Sequence, residues 1–470
     1  MNPQPTRRDL ETRLAGAADQ VPPAVQGVLA RLAQAGHEAF LAGGCVRDIL
    51  LRRVADDFDV ATSARPDEVL RLFEHVVPTG IQHGTVTVIL GREPHEKVEI
   101  TTFRGEGEYL DGRRPESVRF LRDIEEDLAR RDFTINAIAW NPLSGDVRDP
   151  FGGIGAIARR SIRAVGTPQE RFREDGLRPL RAVRFASVLG FGIEEATRQA
   201  IGETLEVFRK VALERVRVEL VKLLLGSARP SRGLNLCADT GLLGAFAPEL
   251  LEGRGLAQNR YHRWDVWDHT MHVVDRSAPR LVVRLAALFH DVGKPRVAEV
   301  GPAGEPTFYS HEVVGAVLAE QILERLRFPR RTIDQVARQV REHNWHYTLE
   351  WNDGAVRRHL ERVGVDALDD FFALREADIV GRGRQVQAGL KNLAELKARF
   401  LAEVEKESAL EISDLAVGGR EVMEALGQGP GPAVGETLRA LLQHVLDHPE
   451  DNSRDKLLAL VGERKRSSPS

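Results

Sequence analysis

Residues 41–64, LAGGCVRDILLRRVADDFDVATSA, decide how the first part of this 470-residue chain is interpreted. The pair Gly43 and Gly44 follows the apolar residues 39–41 and leads into VRDILL, whose apolar spacing predicts a helix. Glycines let the backbone approach a ligand closely, and the start of a helix offers unpaired N–H groups. This arrangement is suited to binding a triphosphate.

A pair of aspartates follows within the same stretch. Asp57 and Asp59 flank Phe58, so on a β-strand their carboxylates project from one face and the phenylalanine from the other. Two carboxylates beside a phosphate-binding turn form a site for Mg²⁺ that bridges protein and phosphates. Either feature alone is more often a turn or a solvated pair. Their order, with Arg47 and Asp48 between them, indicates a nucleotidyl-transfer site.

The order GGxVRD followed by DxD resembles the class II tRNA nucleotidyltransferase and bacterial poly(A) polymerase family, within the polymerase-β-like superfamily. This resemblance implies an α+β chain, in which a polymerase-β-like head with a mixed sheet and helices is followed by mostly α-helical regions. It also implies that Asp57 and Asp59 are catalytic and hold two Mg²⁺ ions. The triphosphate would then be bound by Gly43, Gly44 and Arg47.

Composition is that of an ordinary soluble protein, with 42% hydrophobic and 29% charged residues and a net charge of −4. No run approaches the roughly 18 apolar residues of a membrane span, and the first residues lack the apolar stretch of a secretory signal. Cys45 and Cys237 lie far apart, which argues against a disulfide framework or a cysteine zinc site. We therefore expect a cytoplasmic protein of several domains with no membrane partner.

Charge is unevenly distributed along the chain. Residues 156–230 contain 15 Lys and Arg against 9 Asp and Glu, a local basic excess in an acidic protein. Such a segment suits a groove that follows phosphates, and it suits a solvated helical face equally well.

The triplet Arg130, Arg131 and Asp132 opens the motif RRDFTINA. A carboxylate can accept from a ribose hydroxyl, and guanidinium groups can form paired bonds to phosphate oxygens. In isolation such a triplet is more often a surface ion-pair cluster. The family resemblance extends through this motif and implies that it binds the sugar and phosphates of the incoming nucleotide.

A second family-like motif, EDGLR, spans residues 174–178. On one helix, Asp175 and Arg178 are three residues apart and share a face. Side by side, they can bond the Watson–Crick edges of cytosine and adenine, whereas uracil and guanine present reversed edges. The alternative is a surface salt bridge of little energetic value. Because Pro179 would bend a helix interior, we expect the helix to begin near Glu174.

Two further segments bear on the head. Glu99, in a β-branched run, is either a third carboxylate of the metal site or, as the family resemblance favours, a solvent-facing strand residue. Residues 106–120 lack a hydrophobic period, which predicts a mobile loop. Their segment DGRRP, residues 111–115, is similar to the loop of family members that add the terminal adenosine, and so indicates A addition.

The second half of the chain carries imidazoles and carboxylates in a fixed order on a helical pattern: His269, His290, Asp291, His311, His343 and Asp378. This order, with the segment HDVGKP, resembles the HD phosphohydrolase domain. The resemblance implies a divalent metal such as Mn²⁺, Ni²⁺, Mg²⁺ or Fe²⁺ that activates water against cyclic or terminal phosphates. The expected ligand core is His269, His290, Asp291 and Asp378. His311 and His343 would complete a second metal site or bind phosphate.

The resemblance extends from about residue 24 to residue 460 and sets the expected domains. They are a flexible segment (1–22), which is either frayed or a short leading helix, a nucleotidyltransferase domain (23–155), a helical nucleotide-selecting and RNA-binding neck (156–250), an HD domain (251–390), a C-terminal helical element that contacts tRNA (391–460) and a disordered tail (461–470).

The sequence therefore predicts template-independent addition of CCA to the 3′ end of tRNA from CTP and ATP, with the tRNA bound through its acceptor stem. Within this class, an A-adding enzyme and a poly(A) polymerase share the same core. From another class, the rival is an HD phosphohydrolase whose N-terminal half binds RNA without catalysis, against which the aspartate pair argues. The oligomeric state does not follow from the sequence.

Overall fold

The computed structural model describes residues 5–55, 57–81, 84–91, 97–105, 119–121, 123–302, 304–344, 351–405 and 411–467. Most of the predicted mobile loop, residues 106–118, lies outside these ranges. The chain divides into two compact units, Met1–Phe246 and Ala247–Ser470. Among the described residues, no helix has the length and apolar character needed to cross a membrane.

The strands of the N-terminal unit are β1 (Ala39–Ala42), β2 (Asp59–Thr62), β3 (Val76–Gly80), β4 (Thr85–Ile89), β5 (Lys97–Thr102), β6 (Arg104–Gly105), β7 (Arg119–Phe120), β8 (Ala139–Trp140), β9 (Val147–Arg148), β10 (Ser161–Ile162) and β11 (Gly192–Ile193). Seven of them form one sheet in the order β3-β4-β5-β2-β1-β8-β9. The β2–β5 pair is parallel and the other pairs in this sheet are antiparallel. The predicted head with a mixed sheet is therefore confirmed.

The centre of this sheet is buried on both sides. Strand β1 is apolar and buried along its whole length, between its antiparallel neighbours β2 and β8. On β5, Val98 and Ile100 are buried whereas Lys97 and Glu99 are exposed, so one face packs on the core and the other faces solvent. This pattern leaves polar side chains of β2 and β5 on a common, accessible side.

Helices cover the head: α1 (Arg7–Ala15), α2 (Pro23–Gln34), α3 (Gly44–Leu50), α4 (Pro66–Leu72) and α5 (Ile124–Ala129). The helix predicted from VRDILL is confirmed as α3. Helix α1 is capped by Thr6 and buries Leu10 and Leu14 completely. The expected flexibility of residues 1–22 does not hold for α1, which corresponds to the alternative of a short leading helix, because its apolar side chains at i and i+4 form a buried stripe.

The rest of the N-terminal unit is helical: α6 (Gly153–Ala158), α7 (Pro168–Glu174), α8 (Arg178–Leu189), α9 (Glu195–Glu203), α10 (Leu205–Phe208), α11 (Leu213–Gly226), α12 (Pro230–Asp239) and α13 (Leu242–Phe246). Helix α8 packs against α11 and α12 and buries Leu180, Val183 and Phe185. The boundary expected between residues 155 and 156 falls inside α6.

The C-terminal unit contains one short hairpin, β12 (Glu299–Val300) and β13 (Pro306–Thr307), and ten helices within the described ranges. They are α14 (Val266–Arg276), α15 (Leu281–Phe289), α16 (His311–Arg325), α17 (Arg330–Glu342), α18 (Asp353–Val363), α19 (Leu368–Gly381), α20 (Val386–Glu405), α21 (Gly419–Leu426), α22 (Pro432–Asp447) and α23 (Arg454–Ser467). The predicted helical body is confirmed.

One buried cluster ties the later helices to the earlier ones. Phe371 of α19 and Phe400 of α20 share a hydrophobic core with α18. Arg357 of α18 is buried, donates to Glu403 of α20 at 2.8 Å and also donates to the carbonyl of Leu446 in α22. The boundary expected between residues 390 and 391 therefore lies inside α20, a helix packed against both sides of it.

The end of the described chain is helical. Leu457 and Val461 of α23 are fully buried in a core shared with α21 and α22. The prediction of a disordered tail at residues 461–470 is therefore wrong for residues 461–467, because apolar side chains four residues apart hold the helix in place.

Candidate functional site

The glycine turn links the end of β1 to the start of α3. Gly43 has a φ of 89°, a conformation that other residues rarely adopt, and a Cβ there would lie 2.5 Å from Nη1 of Arg131. A Cβ on Gly44 would lie 3.8 Å from Nη2 of Arg47. The turn thus brings two guanidinium groups against the backbone, as a phosphate site requires.

The aspartate pair lies where β2 begins. Asp59 is the first residue of the strand and Asp57 precedes it, so the prediction that both lie on a strand is wrong for Asp57. Phe58 is buried, whereas Asp57 is exposed and Asp59 is half-buried. The predicted alternation around Phe58 therefore holds, although the regular strand starts only at the second aspartate.

A third carboxylate lies beside this pair. Parallel pairing of β2 with β5 places Glu99 in register with Asp59. Burial, followed by the charges of Asp57 and Glu99, raises the pKa of Asp59 to about 6, against an opposing effect of Arg131. Glu99 is exposed, as expected for a solvent-facing strand residue. It also lies beside Asp59, as expected for a third carboxylate of a metal site. Repulsion among carboxylates at one place is typical of a cation site.

Asp132 is buried and held by several donors. Its Oδ1 accepts from the backbone N–H of Phe133 at 2.8 Å and from Nδ2 of Asn136 at 3.1 Å. Its Oδ2 accepts from Nε and Nη2 of Arg181 at 2.8 and 2.7 Å. Burial alone would raise the pKa of Asp132, but Arg181 and the hydrogen bond from Asn136 outweigh burial and keep that pKa below its ordinary value. The carboxylate is therefore ionised and fixed in orientation.

The two arginines before Asp132 contact a second buried carboxylate. Nη2 of Arg130 lies 2.7 Å from Oδ1 of Asp127, and Nη2 of Arg131 lies 3.5 Å from its Oδ2. Nη1 of Arg131 also donates to the carbonyl of Asn136 at 3.4 Å. The structure thus brings Arg131 to the glycine turn, while Arg130 is engaged by Asp127.

The predicted base-selecting pair has a different geometry from the expected one. Asp175 follows the last residue of α7 and Arg178 is the first residue of α8, so the prediction of a shared helix face is wrong. The carboxylate of Asp175 lies 2.8 Å from Nη2 of Arg215, whereas Arg178 pairs with Glu174. The physical reason is Pro179, which inside one continuous helix would lose a hydrogen bond and clash with the carbonyl of Asp175, four residues earlier, but which suits the first turn of a new helix.

The sequence did not single out four residues that complete this site: Asn136, Arg181, Phe185 and Glu219. The guanidinium groups of Arg47, Arg181 and Arg184 lie 5.2, 5.5 and 3.8 Å from the centre of the Phe185 ring. Buried Glu219 of α11 pairs with Arg181 and Arg184, so α11 braces α8. A local signal existed for three of the four. Asn136 lies in RRDFTINA, and Arg181 and Phe185 are four residues apart on α8.

In the C-terminal unit, the predicted ligands are buried and converge on Asp291. Its Oδ2 lies 3.1 Å from Nε2 of His290 and 3.5 Å from that of His269. Its Oδ1 lies 3.4 Å from Nε2 of His311 and 3.6 Å from that of His343. Two groups of three possible ligand atoms result, each within 4.8 Å of one another, and Asp291 belongs to both. This donor set fits one or two divalent metal ions.

Asp378 borders the first of these groups. Its Oδ1 lies 3.2 Å from Nε2 of His269, while its Oδ2 lies 2.9 Å from Arg375 and 2.7 Å from Arg382. Burial alone would raise the pKa of Asp378, but the two guanidinium groups and His269 hold it well below its ordinary value. Asp378 thus presents one oxygen of an ionised carboxylate to the cluster.

The histidines of this cluster differ in how readily they bind a proton. Burial lowers the pKa of His343 to about 3, so its imidazole is neutral, the form that binds metal. Burial also acts to lower the pKa of His290, but the Asp291 carboxylate outweighs burial and raises it. Nζ of Lys294 lies 2.7 Å from Asp291 as well. A divalent cation would take over the balancing of this carboxylate.

A cavity of about 770 Å³ opens beside the cluster. Asp291, His311 and His343 line it, together with four cationic side chains: Lys294, Arg375, Arg382 and Arg384. Asp378 and Glu312 also line the cavity, so cations exceed carboxylates only slightly. A cavity of this size with guanidinium and ammonium groups next to a metal-type donor set suits a phosphate ester.

Three family models match consecutive parts of the chain. The Poly A polymerase head domain matches residues 39–163, the probable RNA- and SrmB-binding site of polymerase A matches residues 190–253, and the HD domain matches residues 260–378. The fold and these matches define a nucleotidyltransferase of the poly(A) polymerase type with an RNA-binding region and an HD domain.

Relatives match along almost the whole chain. The CCA-adding enzyme of Geobacillus kaustophilus (strain HTA426) is 36% identical over 447 residues, which cover 94% of this chain and 96% of the relative. The chain therefore belongs to the family of CCA-adding enzymes, and the resemblance predicted from its motifs is confirmed.

Solved structures agree with this assignment. The Bacillus stearothermophilus CCA-adding enzyme in complex with CTP is 30% identical, with a TM-score of 0.69, and the match covers 95% of this chain and 99% of that one. The Thermotoga maritima CCA-adding enzyme complexed with tRNA is 18% identical, with a TM-score of 0.54 and coverage of 96% and 98%. The second likeness supports the fold alone.

Proposed function

We propose that this chain adds CCA to the 3′ end of tRNA from CTP and ATP, without a nucleic-acid template and with release of pyrophosphate. The observation that carries this proposal is the pair Asp57 and Asp59, together with a glycine turn that gathers Arg47 and Arg131. Relatives that match almost the whole chain are CCA-adding enzymes, and a similar solved structure binds CTP. These findings favour full CCA addition over an A-adding enzyme, a poly(A) polymerase or a non-catalytic head.

Asp57 and Asp59 would hold Mg²⁺. A metal bound there would lower the pKa of the attacking 3′-hydroxyl of the RNA and would stabilise the charge of the pyrophosphate leaving group. The raised pKa of Asp59 supports this role, because a cation would relieve the repulsion from Asp57. Glu99 lies in register with Asp59 and is placed to take part.

The triphosphate and sugar would be held by the residues around the glycine turn. Gly43 would let the backbone approach the phosphates closely, although its own N–H is bonded to the carbonyl of Ile138 at 3.2 Å. Gly44 would contribute its N–H at the start of α3, and Arg47 and Arg131 add positive charge beside it. Asp132 would accept from a ribose hydroxyl in exchange for one of the hydrogen bonds that its two oxygens now accept, because its carboxylate is ionised and held in one orientation. Arg130, held in place by its ion pair with Asp127, would help to bind the sugar and phosphates. Together these groups would orient the α-phosphate for in-line attack.

Asp175 and Arg178 would select the base. Both bases that are added, cytosine and adenine, offer an amino N–H to a carboxylate beside a ring-nitrogen acceptor for a guanidinium, whereas uracil and guanine present a carbonyl beside a ring N–H at those places. Each selecting side chain already has a partner of opposite charge, Arg215 for Asp175 and Glu174 for Arg178. A base entering the site would therefore compete with Arg215, whereas Glu174 keeps Arg178 oriented because a guanidinium has donors to spare.

The tRNA would be bound through its acceptor stem by the neck (156–250) and through its body by the C-terminal element (391–460). Support comes from the basic excess of residues 156–230 and from the RNA-binding family match at residues 190–253. Recognition would use the RNA backbone and its shape. The cytoplasmic location stays a prediction.

We further propose that the HD cluster binds Mn²⁺, Ni²⁺ or Mg²⁺ and hydrolyses cyclic or terminal phosphate esters. Asp291 and His290, with His269 and Asp378, would hold one ion, while His311 and His343 would complete a second position through Asp291. The cationic side chains of the adjacent cavity, whose lining also contains carboxylates, support a phosphate substrate. Mechanistically, the neutral imidazole of His343 is suited to donate its lone pair to a metal.

The test uses three tRNA transcripts that end at the discriminator base, at C and at CC. Each is incubated with Mg²⁺ and labelled CTP or ATP, singly and together. We expect all three to be extended to CCA. Extension of the CC transcript alone would make this an A-adding enzyme, long homopolymeric A tails would make it a poly(A) polymerase, and no incorporation would refute the proposal.

A further inference from the structure

Asn136 lies between two groups that have different tasks in the proposed reaction. Its Nδ2 donates to Oδ1 of Asp132 at 3.1 Å, and its Oδ1 accepts from Nη1 of Arg47 at 2.7 Å. The side chain is buried in the 3-10 turn Thr134–Asn136, which packs against α3. One buried amide thus joins the carboxylate that would bind the sugar to the guanidinium that would bind the triphosphate.

The chemistry of the two partners fixes the orientation of this amide. A carboxylate paired with an arginine, as Asp132 is with Arg181, accepts hydrogen bonds and donates none. A guanidinium donates and accepts none. Asn136 must therefore turn its NH₂ group to Asp132 and its oxygen to Arg47. Both bonds involve a charged partner and are stronger than bonds between neutral groups.

The remaining hydrogen bonds of the two partners lead away from each other. Arg47 also donates to Asp48, the next residue of α3, from Nε to Oδ1 at 3.0 Å and from Nη2 to Oδ2 at 2.7 Å. Asp132 binds Arg181 through its second oxygen and the N–H of Phe133 through its first. Among the described residues, Asn136 is the side chain that hydrogen-bonds to both groups.

The carbonyl of Asn136 extends the same arrangement to the glycine turn. It accepts from Nη1 of Arg131 at 3.4 Å, and that nitrogen would lie 2.5 Å from a Cβ on Gly43. A single residue thus contacts both arginines of the triphosphate site and the carboxylate of the sugar site.

We infer that Asn136 is a positioning residue for the incoming nucleotide, which orients Asp132 toward a ribose hydroxyl and fixes its place relative to the triphosphate held by Arg47. This inference rests on the proposed function, because it takes the roles of Asp132 and Arg47 as given. Loss of the amide should therefore weaken the selection of a ribonucleotide and the binding of its triphosphate together.

The test measures addition of CTP, 2′-deoxy-CTP and 3′-deoxy-CTP to a tRNA transcript that ends at the discriminator base. Asp132→Asn shows which hydroxyl is read, because the preference for CTP over the matching deoxy analogue falls in that variant. We expect Asn136→Ala to lower kcat/KM for CTP by about 10- to 100-fold and that for the matching analogue much less. In the double variant, the preference for CTP over the matching analogue should fall no further than in the worse single variant, because both changes disturb the same reading of the sugar.

Asn136→Asp separates the two bonds of the amide. Its carboxylate keeps an acceptor for Arg47 but has no donor for Asp132 and repels it. We expect this variant to lose the preference for CTP over the matching analogue, while its KM for CTP stays closer to the wild-type value than that of Asn136→Ala.

Asn141→Ala is the matched control. Asn141 belongs to the same unit, donates to the carbonyl of Ala39 at 3.0 Å and accepts from the backbone of the following turn. Its loss should lower the melting temperature and leave the sugar preference unchanged.

The inference is overturned if Asn136→Ala lowers kcat/KM for CTP and for both analogues by one factor, or if its effect on the preference for CTP over the matching analogue multiplies with that of Asp132→Asn. Either result would leave the proposed function intact. Failure of the wild-type chain to add any nucleotide would instead refute the proposed function, and equal use of all three nucleotides by the wild-type chain would refute sugar reading by Asp132.

Discussion

In the N-terminal unit, the nucleotide site draws its side chains from β2, α3, α8 and the RRDFTINA segment, and most of its arginines already pair with a carboxylate. In the C-terminal unit, four imidazoles share the two oxygens of one buried aspartate. The first site spreads its charge over several carboxylates, so the loss of one ion pair should leave others in place. The second depends on Asp291, so one change there should affect the whole cluster.

The largest effect is expected at the aspartate pair. Replacing Asp57 and Asp59 by alanine removes both metal-binding carboxylates, so nucleotide addition should fall by about a thousandfold or more. Incorporation of labelled CTP into a tRNA transcript measures this loss.

The matched control is His290→Ala with Asp291→Ala, which should abolish metal-dependent phosphatase activity and spare nucleotide addition. Full transfer activity in the first variant would contradict the two-metal assignment, and loss of both activities in the control would contradict two independent sites.

The HD cluster offers the sharpest contrast with that dispersed site. Asp291→Asn keeps the shape of the side chain but removes the charge shared by both groups of ligands. We expect it to lose bound Mn²⁺ or Ni²⁺ at both positions, whereas His343→Ala should lose one position. Metal content per chain after equilibration and desalting measures the difference.

His272→Ala, on the same helix as His269, serves as the control for this experiment and should retain the wild-type metal content. Equal metal content in Asp291→Asn and the wild-type chain would contradict a shared ligand.

Base selection should weaken when Asp175 is replaced and should not weaken when its ion-pair partner Arg215 is replaced. Asp175→Ala removes the acceptor for the amino group of cytosine and adenine, so the preference for CTP over UTP should fall by about 10- to 100-fold. Arg215→Ala removes the same ion pair but leaves Asp175 in place. Competition between labelled CTP and UTP distinguishes the two variants. An equal loss of selection in both would make the ion pair structural and not selective.

The smallest effect concerns stability and pH. Because the pKa of Asp59 is raised to about 6 in the folded chain, the folded state binds this proton more tightly than the unfolded state. Asp59 therefore lowers the free energy of unfolding progressively as pH rises toward 6 and keeps it lowered above that value. Asp59→Asn should raise the free energy of unfolding at pH 7.5 in EDTA by roughly 1–3 kcal/mol.

Asp67→Asn is the control for this stability measurement, since Asp67 is exposed and pairs with Arg71 on one helix. It should change the free energy of unfolding by about 0.5 kcal/mol or less. A destabilised Asp59→Asn variant would mean that the carboxylate is needed for the fold.

Sequence reasoning succeeded where the chemistry lies in a short motif. The glycine turn, the alternation around Phe58 and the order of the HD residues are local patterns, and the structure places them as expected. It failed where the partner is distant in sequence. The pairing of Asp175 with Arg215 spans 40 residues, and no spacing rule indicates it.

Local rules misled in two other places. The break between α7 and α8 follows from Pro179, which sequence reasoning treated as a disturbance inside one helix. The order of α1 follows from two buried leucines in a segment that is otherwise polar. In both cases tertiary packing or a single residue outweighed the general character of the segment.

The buried contacts of Arg357 bear on how genes of this kind can be recombined. Arg357 is bonded to Glu403 and to the carbonyl of Leu446. If foreign helices replaced those after residue 390 and covered Arg357, its guanidinium would be buried without its carboxylate, which costs several kcal/mol of stability. The HD region and the helices after it should therefore be exchanged together. A recombination event that exchanged the HD region without the helices after it would yield a chain that folds poorly.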